Sequence, residues 1–346
     1  MTQSRKNSVT IRDVAREAGV SVATVSRYLN HNTPVSDDVS QRLEQVMQAL
    51  RYVPQATARA LATHKTHTIG LLLADIGGDF FAPLLNGIEA VASTAGYDLL
   101  ISCVRQPLHR TGAITLLGPH NTDGVLVFAD SLDERGLAEY SERNFPTVLI
   151  HRSPPDGLKM PCVTVENKAA SKKIVDHLIE IHNRRRIVFL RGPQGQEDSF
   201  WRESGYRQAL ESHQIEFDPR LAADGEFDRA IARASIQRLL GENVRFDGVF
   251  AGDDESAVGV INTLNEAGVR IPEDISVVGF DDQRMAPYLT PPLTTVRAPT
   301  GEVGEEAARQ LIQAIQAPGS VNGTTLLPTE LVIRRSCGCN HPELAS

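Results

Sequence analysis

Residues 10–30, TIRDVAREAGVSVATVSRYLN, hold two short helical patterns divided by a single glycine. Thr10 with Asp13 three residues later forms a capping box, which satisfies the unpaired N–H groups of a first helical turn. Ile11, Val14, Ala15 and Ala18 follow at helical spacing, and Gly19 ends the pattern. Ser21 then caps a second helix whose inner edge is Val22 or Val25 with Leu29. Only about three residues separate the two helices, the spacing of a helix-turn-helix. Ser36, Asp37 and Asp38 open a third helix through Val39, Leu43, Val46, Met47 and Leu50, enough for a minimal core.

The second helix leaves a thin exterior. Ser21, Thr24 and Ser26 are short hydroxyls, and Arg27 is its one cation. A helix in the major groove of DNA brings its backbone close to the bases, so outward bulk would hold it away. Short hydroxyls can bond phosphates at that approach. Arg27 offers a fork for a guanine edge, and Val22 and Ala23 can meet thymine methyl groups. The plainer reading is a small helical bundle with an exposed arginine, and charge separates the two. Residues 1–68 carry nine basic and five acidic side chains, a net of +4. The whole chain is at −8, which leaves −12 for the remainder. A basic head on an acidic body suits a polyanion that meets only the head.

Downstream, QATARALATHKTHT (residues 55–68) follows Pro54, a good first helical residue. Ala56, Ala58, Ala60, Leu61 and Ala62 favour helix, but a stretch of about eight residues falls short of the ~12–15 that stand alone. Such a segment should form only against a partner. Leu61, its one sizeable apolar side chain, is placed to wedge between base pairs from the minor groove. An ordinary alanine-rich linker is the alternative.

From TIGLLLAD (68–75) the texture changes to short apolar runs alternating with helical patterns. Strands are expected at Ile69–Leu73, Leu99–Cys103, Val125–Phe128 and Val148–Ile150. A second series is expected at Ile187–Leu190, Gly248–Phe250, Ser276–Gly279 and Leu327–Ile333, with helices such as LLNGIEAVASTAG and GYRQALESHQ between. This alternation implies parallel, doubly wound sheets in two lobes, with ligands at the carboxyl ends of the strands, facing a cleft. The loops there are DIGGDFF (75–81), GPQGQEDSFWRESGY (192–206) with Arg202, AGDDESAVG (251–259) with Asp253 and Asp254, and GFDDQ (279–283) with Asp281 and Asp282. One arginine among acids and aromatics suits a neutral polyhydroxylated ligand. Carboxylates accept paired hydroxyls, and Phe227 or Trp201 could stack on the C–H face of a sugar. Some of the acids need only cap helices, Asp253 or Asp254 before ESAVG among them.

Other classes are disfavoured. A chain of 346 residues suggests two or three domains, and 41% hydrophobic with 23% charged residues is ordinary for a soluble protein. No apolar run approaches the ~20 residues of a membrane span, and MTQSRKNSVT lacks the apolar region of a secretory signal. Four cysteines (Cys103, Cys162, Cys337, Cys339) suggest no disulfide framework and hence a reducing cytosol. There is no G-x-G-x-x-G after a strand, no G-x-x-x-x-G-K-[ST], no G-x-S-x-G and no H-E-x-x-H. The ten histidines show no metal-ligand spacing, and CGCNH (337–341) reads as a reduced, partly exposed tail. Neither a metal nor a cofactor is expected.

VTIRDVAREAGVSVATVSRYLN (9–30) resembles the DNA-binding head of the LacI/GalR-type bacterial transcription regulators, and the likeness spans nearly the whole chain. YVPQATARALATHKTHTIGLLLADI resembles that family's hinge helix and first strand. DFFAPLLNGIEAVASTAGYDLL, RESGYRQAL, DDESAVGVINTLNEAGVRIPEDISVVGFDD and LTPPLTTVRAP resemble its effector core. The resemblance implies an all-α helix-turn-helix head (1–53), a hinge helix and linker (54–67), and a C-terminal tail (341–346). Between them, residues 68–340 would form a two-lobed effector-binding and dimerisation core. That α/β core has the periplasmic-binding-protein type I fold, two doubly wound parallel-sheet lobes with PPLTTV near the last crossover.

The resemblance further implies a homodimer on pseudo-palindromic double-stranded operator DNA. Val22, Ala23 and Arg27 would read bases, and Ser21, Thr24, Asn30 and Ser36 would hold phosphates. Leu61 would be the minor-groove wedge with Ala58 beside it. In the cleft, Arg202, Asp253 and Asp281 would be polar effector contacts, Phe80 and Phe227 lining and stacking residues, and Asp79 and Phe128 wall residues. Asp253 stands where the family commonly has Asn, Glu166-Asn167 replaces Asp-Asn, and EIHNRRRI lacks the usual Gly-His. DIGGDFF also departs from the usual residues, so the ligand need not be a familiar one. The expected protein is a cytoplasmic repressor under allosteric control by a carbohydrate-like effector. Its rivals are a transport-type sugar-binding protein without a regulatory role, an enzyme working in the cleft, and a DNA-binding protein whose cleft has lost its ligand.

Overall fold

A computed structural model describes residues 9–30, 35–52, 65–104 and 116–339. They fall into two compact units, an N-terminal head and a body that begins at Thr68. The hinge segment with Ala58 and Leu61, residues 105–115 and the tail from 340 onward lie outside the described residues.

The head is three helices, α1 (Ile11–Ala18), α2 (Val22–Asn30) and α3 (Asp37–Leu50). The Thr10 N–H and hydroxyl both donate to Asp13 Oδ2, at 3.0 and 2.7 Å, which holds the first turn of α1. Gly19, at φ +65°, ends α1 in the left-handed region while Val20 N–H reaches back to the Ala15 carbonyl at 3.0 Å. Ser21 Oγ accepts the Thr24 N–H at 3.1 Å and so starts α2. Val14, Ala15, Ala18, Val25 and Leu43 form the buried core. Val25 is therefore the inner residue of α2, and Val22, 42% exposed, faces outward. Tyr28 donates to Glu44 at 2.9 Å and ties α2 to α3.

The body begins with β1 (Thr68–Leu73), α4 (Phe81–Thr94), β2 (Asp98–Cys103), β3 (Gly124–Phe128), α5 (Glu134–Glu142), β4 (Thr147–Ile150) and β5 (Cys162–Val165). It continues with α6 (Lys168–Glu180), β6 (Ile187–Arg191), α7 (Glu197–Ser212), β7 (Ala222–Asp224), α8 (Arg229–Gly241), β8 (Gly248–Ala251), α9 (Asp254–Glu266) and β9 (Ser276–Val278). The last elements are β10 (Thr295–Arg297), α10 (Thr300–Gln316), β11 (Thr324–Leu327) and β12 (Glu330–Val332). Two parallel sheets result, ordered β11-β5-β4-β3-β1-β2 and β7-β6-β8-β9. Ile69 and Leu71–Leu73 of β1 are fully buried, as expected for strands covered on both faces.

One expected strand is corrected. Leu327–Ile333 divides at Pro328, which has no N–H to give a ladder. Only Leu327 of that stretch belongs to β11, which begins at Thr324 and joins the first lobe beside β5, and the part after Pro328 forms β12, which pairs antiparallel with β10. The short strands β5, β7 and β10 were not anticipated. A second correction concerns CGCNH: Cys337 is fully buried and Cys339 half-buried, while His341 lies outside the described residues. Among the described residues no helix is long and apolar enough to cross a membrane.

After β9 the chain returns through β10 to α10 and β11 in the first lobe, and β12 crosses back. Helices α4 and α10 meet backbone to backbone. A Cβ on Gly87 would stand 2.1 Å from the Gly301 carbonyl oxygen, and one on Gly304 would stand 2.3 Å from that of Leu84. Glycine is required at this crossing. Gly304→Ala should lower unfolding free energy by about 1–3 kcal/mol, the usual cost of overpacking. Gly241→Ala, whose Cβ meets open space, should leave the urea midpoint nearly unchanged.

Candidate functional site

The outward face of α2 carries Val22, Ala23 and Arg27, all exposed, with Ser21 exposed at its start. Thr24 is half-buried and its hydroxyl lies 2.8 Å from Ser21 Oγ. One hydroxyl of that pair donates to the other. Neighbouring charges are occupied: Arg16 pairs with Asp13 and Arg42 with Asp38, each at 2.7 Å. Among the described residues no carboxylate pairs with Arg27. Ser36 is exposed at the start of α3. Asn30 is the last residue of α2, and its side chain lies outside what is described.

In the body, strand ends of both lobes enclose a cleft of about 710 Å³. Phe80, Phe128 and His151 line it from the first lobe, and Arg202, Phe227, Asp253 and Asp281 from the second. Arg202, only 3% exposed, is the hub. Its Nε donates to Asn167 Oδ1 at 2.9 Å, Nη1 to the Gly252 carbonyl at 2.6 Å, and Nη2 to Asp281 Oδ1 at 3.3 Å. The guanidinium lies 3.8 Å from the Phe280 ring centre and 5.4 Å from that of Phe227. Asn167 Nδ2 in turn donates to Asp198 at 2.8 Å, and Asp198 lies 3.0 Å from His151 Nδ1. Burial pushes the Asp198 carboxyl up, but His151, Arg202 and Asn167 together bring it below its ordinary value. His151 packs edge-on against Phe128, and its buried Nε2 has no partner among the described residues.

Two acids face the cleft in an unusual state. Burial pushes Asp253 up to about 6, although its carboxylate caps α9 by accepting the Ser256 N–H at 2.9 Å. Burial pushes Asp281 up to about 7, against the pull of Arg202. The backbone is strained at the same places, with φ +106° at Asp281 and +55° at Phe227. Gly192 lies directly under the Phe227 ring, where a Cβ would come within 2.1 Å of it.

The remaining expected residues sort clearly. Asp254 is committed to structure, accepting the Thr295 hydroxyl at 2.6 Å and the Gln283 N–H at 2.8 Å. Asp282 is likewise held by Arg297 and Arg334, at 2.8 and 2.6 Å. Of the two aromatic candidates, Phe227 lines the cleft. Trp201 does not: it is 38% exposed and donates to Glu197 at 3.0 Å. Asp79 is exposed and lies outside the lining, though its charge reaches Arg229. His151, Asn167 and Asp198 were missed as members of this network. His151 directly follows β4, so the strand-end rule could have found it. Asp198 sits four residues before Arg202 on α7 and so shares its face. A paired guanidinium, acids poised to accept hydroxyls and aromatic walls together suit a neutral, polyhydroxylated ligand.

Comparison with known proteins agrees with both units. Residues 10–55 match the family described as bacterial regulatory proteins, lacI family, and residues 175–337 match a periplasmic binding protein-like domain. The HTH-type transcriptional repressor CytR of Escherichia coli is 32% identical over 335 residues, covering 96% of this chain and 98% of that protein. The lac repressor dimer bound to operator and the anti-inducer ONPF superposes with a TM-score of 0.82 at 26% identity, covering 96% of this chain and 99% of that one. The complex of the transcriptional regulator CelR with cellobiose superposes at 0.72 with 29% identity, covering 95% and 99%.

The raised Asp281 carboxyl has a sign that can be tested. The folded chain holds this proton up to about pH 7, whereas the unfolded chain loses it near the ordinary 3.8. Rising pH across that window therefore penalises the folded state. Relative to the parent chain, Asp281→Asn should gain stability steadily from about pH 4 to about pH 7 in denaturant titrations and level off above that. A pH-independent difference would show that Asp281 ionises normally.

Proposed function

The chain belongs to the lacI family of bacterial regulatory proteins, and we propose that it is a repressor that reads operator DNA through α2 and answers to a carbohydrate effector in the cleft. It is a DNA-binding transcriptional regulator rather than an enzyme. The observation that carries the finer reading is the outer face of α2, where Arg27, with no carboxylate partner among the described residues, stands beside exposed Val22 and Ala23. In the major groove the guanidinium forks onto a guanine and the two small apolar side chains meet thymine methyls. Ser21, Thr24, Asn30 and Ser36 hold phosphates. Two copies bind a pseudo-palindromic operator in the cytoplasm. In each, Leu61 with Ala58 beside it opens the minor groove as the hinge folds.

In the cleft, Asp253 and Asp281 accept effector hydroxyls while Phe80, Phe128 and Phe227 cover the ring faces of a sugar or sugar derivative. Asp79 acts from the rim. The Arg202 network pre-sets these partners, so little ordering is left for the ligand to bring about. Because residues of both lobes bound the cleft, an effector that prefers one lobe arrangement shifts the population between two, with a coupling of about 1–3 kcal/mol to DNA affinity. The cellobiose complex of CelR, similar in fold and sequence, supports a carbohydrate.

Two variants separate the head from the cleft. Arg27→Ala should cost about 1–3 kcal/mol of operator affinity, concentrated at one base step per half-site. Fluorescence anisotropy over single-base operator variants measures this, and uniform weakening would remove Arg27 from base readout. Phe227→Ala should weaken effector binding about tenfold, equivalent to the ~1.4 kcal/mol in range for an aromatic contact. Its effector-free operator affinity should be unchanged. A thermal-shift screen of sugars and nucleosides supplies the ligand.

A further inference from the structure

The end of α6 and the turn after β12 bring together His177, His182, Cys337 and Cys339. The Nε2 atoms of His177 and His182 are 3.2 Å apart. Cys339 Sγ lies 3.6 Å from the first and 3.3 Å from the second, although Cys339 and His182 are 157 residues apart in sequence. Cys337 Sγ completes the group, with all four ligand atoms within 4.8 Å of one another. A tetrahedral Zn2+ with bonds of about 2.05 Å to nitrogen and about 2.3 Å to sulfur spaces its ligands by about 3.3 Å (N–N), about 3.6 Å (N–S) and about 3.8 Å (S–S). The three measured separations fall within a few tenths of an ångström of these values.

We propose that these four side chains form a structural Cys2His2 zinc site. Two neutral imidazoles and two thiolates balance the charge of one Zn2+, so loading releases two thiol protons. The surroundings fit that role. Cys337 is fully buried and the other three ligands are half-buried, which closes the site as structural sites are closed. The Thr294 hydroxyl donates to Cys337 Sγ at 3.2 Å, the sense that favours a thiolate. Gly338, at φ +113°, lets the C-x-C turn pass over the ring of His182, whose Nδ1 would lie 2.9 Å from a Cβ there. The mixed nitrogen and sulfur donors select zinc over magnesium or calcium. The ion staples the chain end to α6, beside the bonds by which Ser276 Oγ donates to the Cys337 carbonyl and Val277 N–H to that of Ser336.

The test uses the full chain, expressed without a histidine tag, kept reduced and dialysed against zinc. Elemental analysis should find about one zinc per chain, with Cys339→Ser and His182→Gln near zero and Cys103→Ser, remote from the cluster, unchanged. A chelator should lower the melting temperature of the parent chain, and zinc but not magnesium should restore it. Should the variants fail to fold, cobalt settles the matter in the unaltered chain. Intense visible bands with a thiolate charge-transfer band support the tetrahedral Cys2His2 site, and a pale octahedral spectrum overturns it. A parent chain that stays metal-free after dialysis, or variants that keep their zinc, also overturn it.

Discussion

Arg202 brings a guanidinium into the interior, where it is only 3% exposed. A guanidinium taken out of water must have its N–H groups met or the fold pays several kcal/mol. Its partners come from far apart in the chain: Asn167 between β5 and α6, the Gly252 carbonyl after β8, and Asp281 after β9. Meeting one buried cation therefore fixes three strand ends relative to α7. The same demand explains how Asp281 keeps a backbone conformation that few residues other than glycine adopt. Through Asn167 the network runs on to Asp198 and His151 in the other lobe.

The two recognition surfaces are built on opposite plans. On α2 Arg27, with no carboxylate partner among the described residues, stands on a small, exposed face. In the cleft Arg202, Asn167 and Asp198 are already tied to one another, while His151 Nε2 and Gln283 Oε1 have no partner among the described residues. Asp253 and Asp281 have partners too but differ in kind: burial raises both toward neutrality, so each can donate as a carboxyl or accept as a carboxylate. The head is thus prepared for a uniform polyanion, and the cleft for a small molecule whose donors and acceptors alternate.

Much of this was legible in the sequence wherever the physics is local. The capping box at Thr10, the stop at Gly19 and the stripe of α3 all act within a few residues, and all are found where expected. Whether Val22 or Val25 turns inward could not be settled by spacing alone, because both fit a helical period. Only the position of Leu43 opposite decides for Val25. Strands β5, β7 and β10 escaped because a threonine, an aspartate or an arginine breaks up their few apolar residues, whereas the equally short β4, β8 and β9 hold unbroken apolar pairs or triplets. Trp201 and Phe227 looked equivalent as aromatics beside strand ends, and tertiary packing separates them. The meeting of His177 and His182 with Cys337 and Cys339 depends on a crossover that no local spacing encodes.

That crossover also orders the birth of the protein. The lobe that opens with β1 takes its edge strand β11 and its close-packed helix α10 from more than 200 residues downstream of α4. The glycine-to-backbone contact of α4 with α10 cannot form earlier. During synthesis, then, α4 emerges with one flank bare and stays so until α10 has been made. The three-helix head draws on no such late material, so it can be complete and ready for nucleic acid while the body is still waiting for its last pieces.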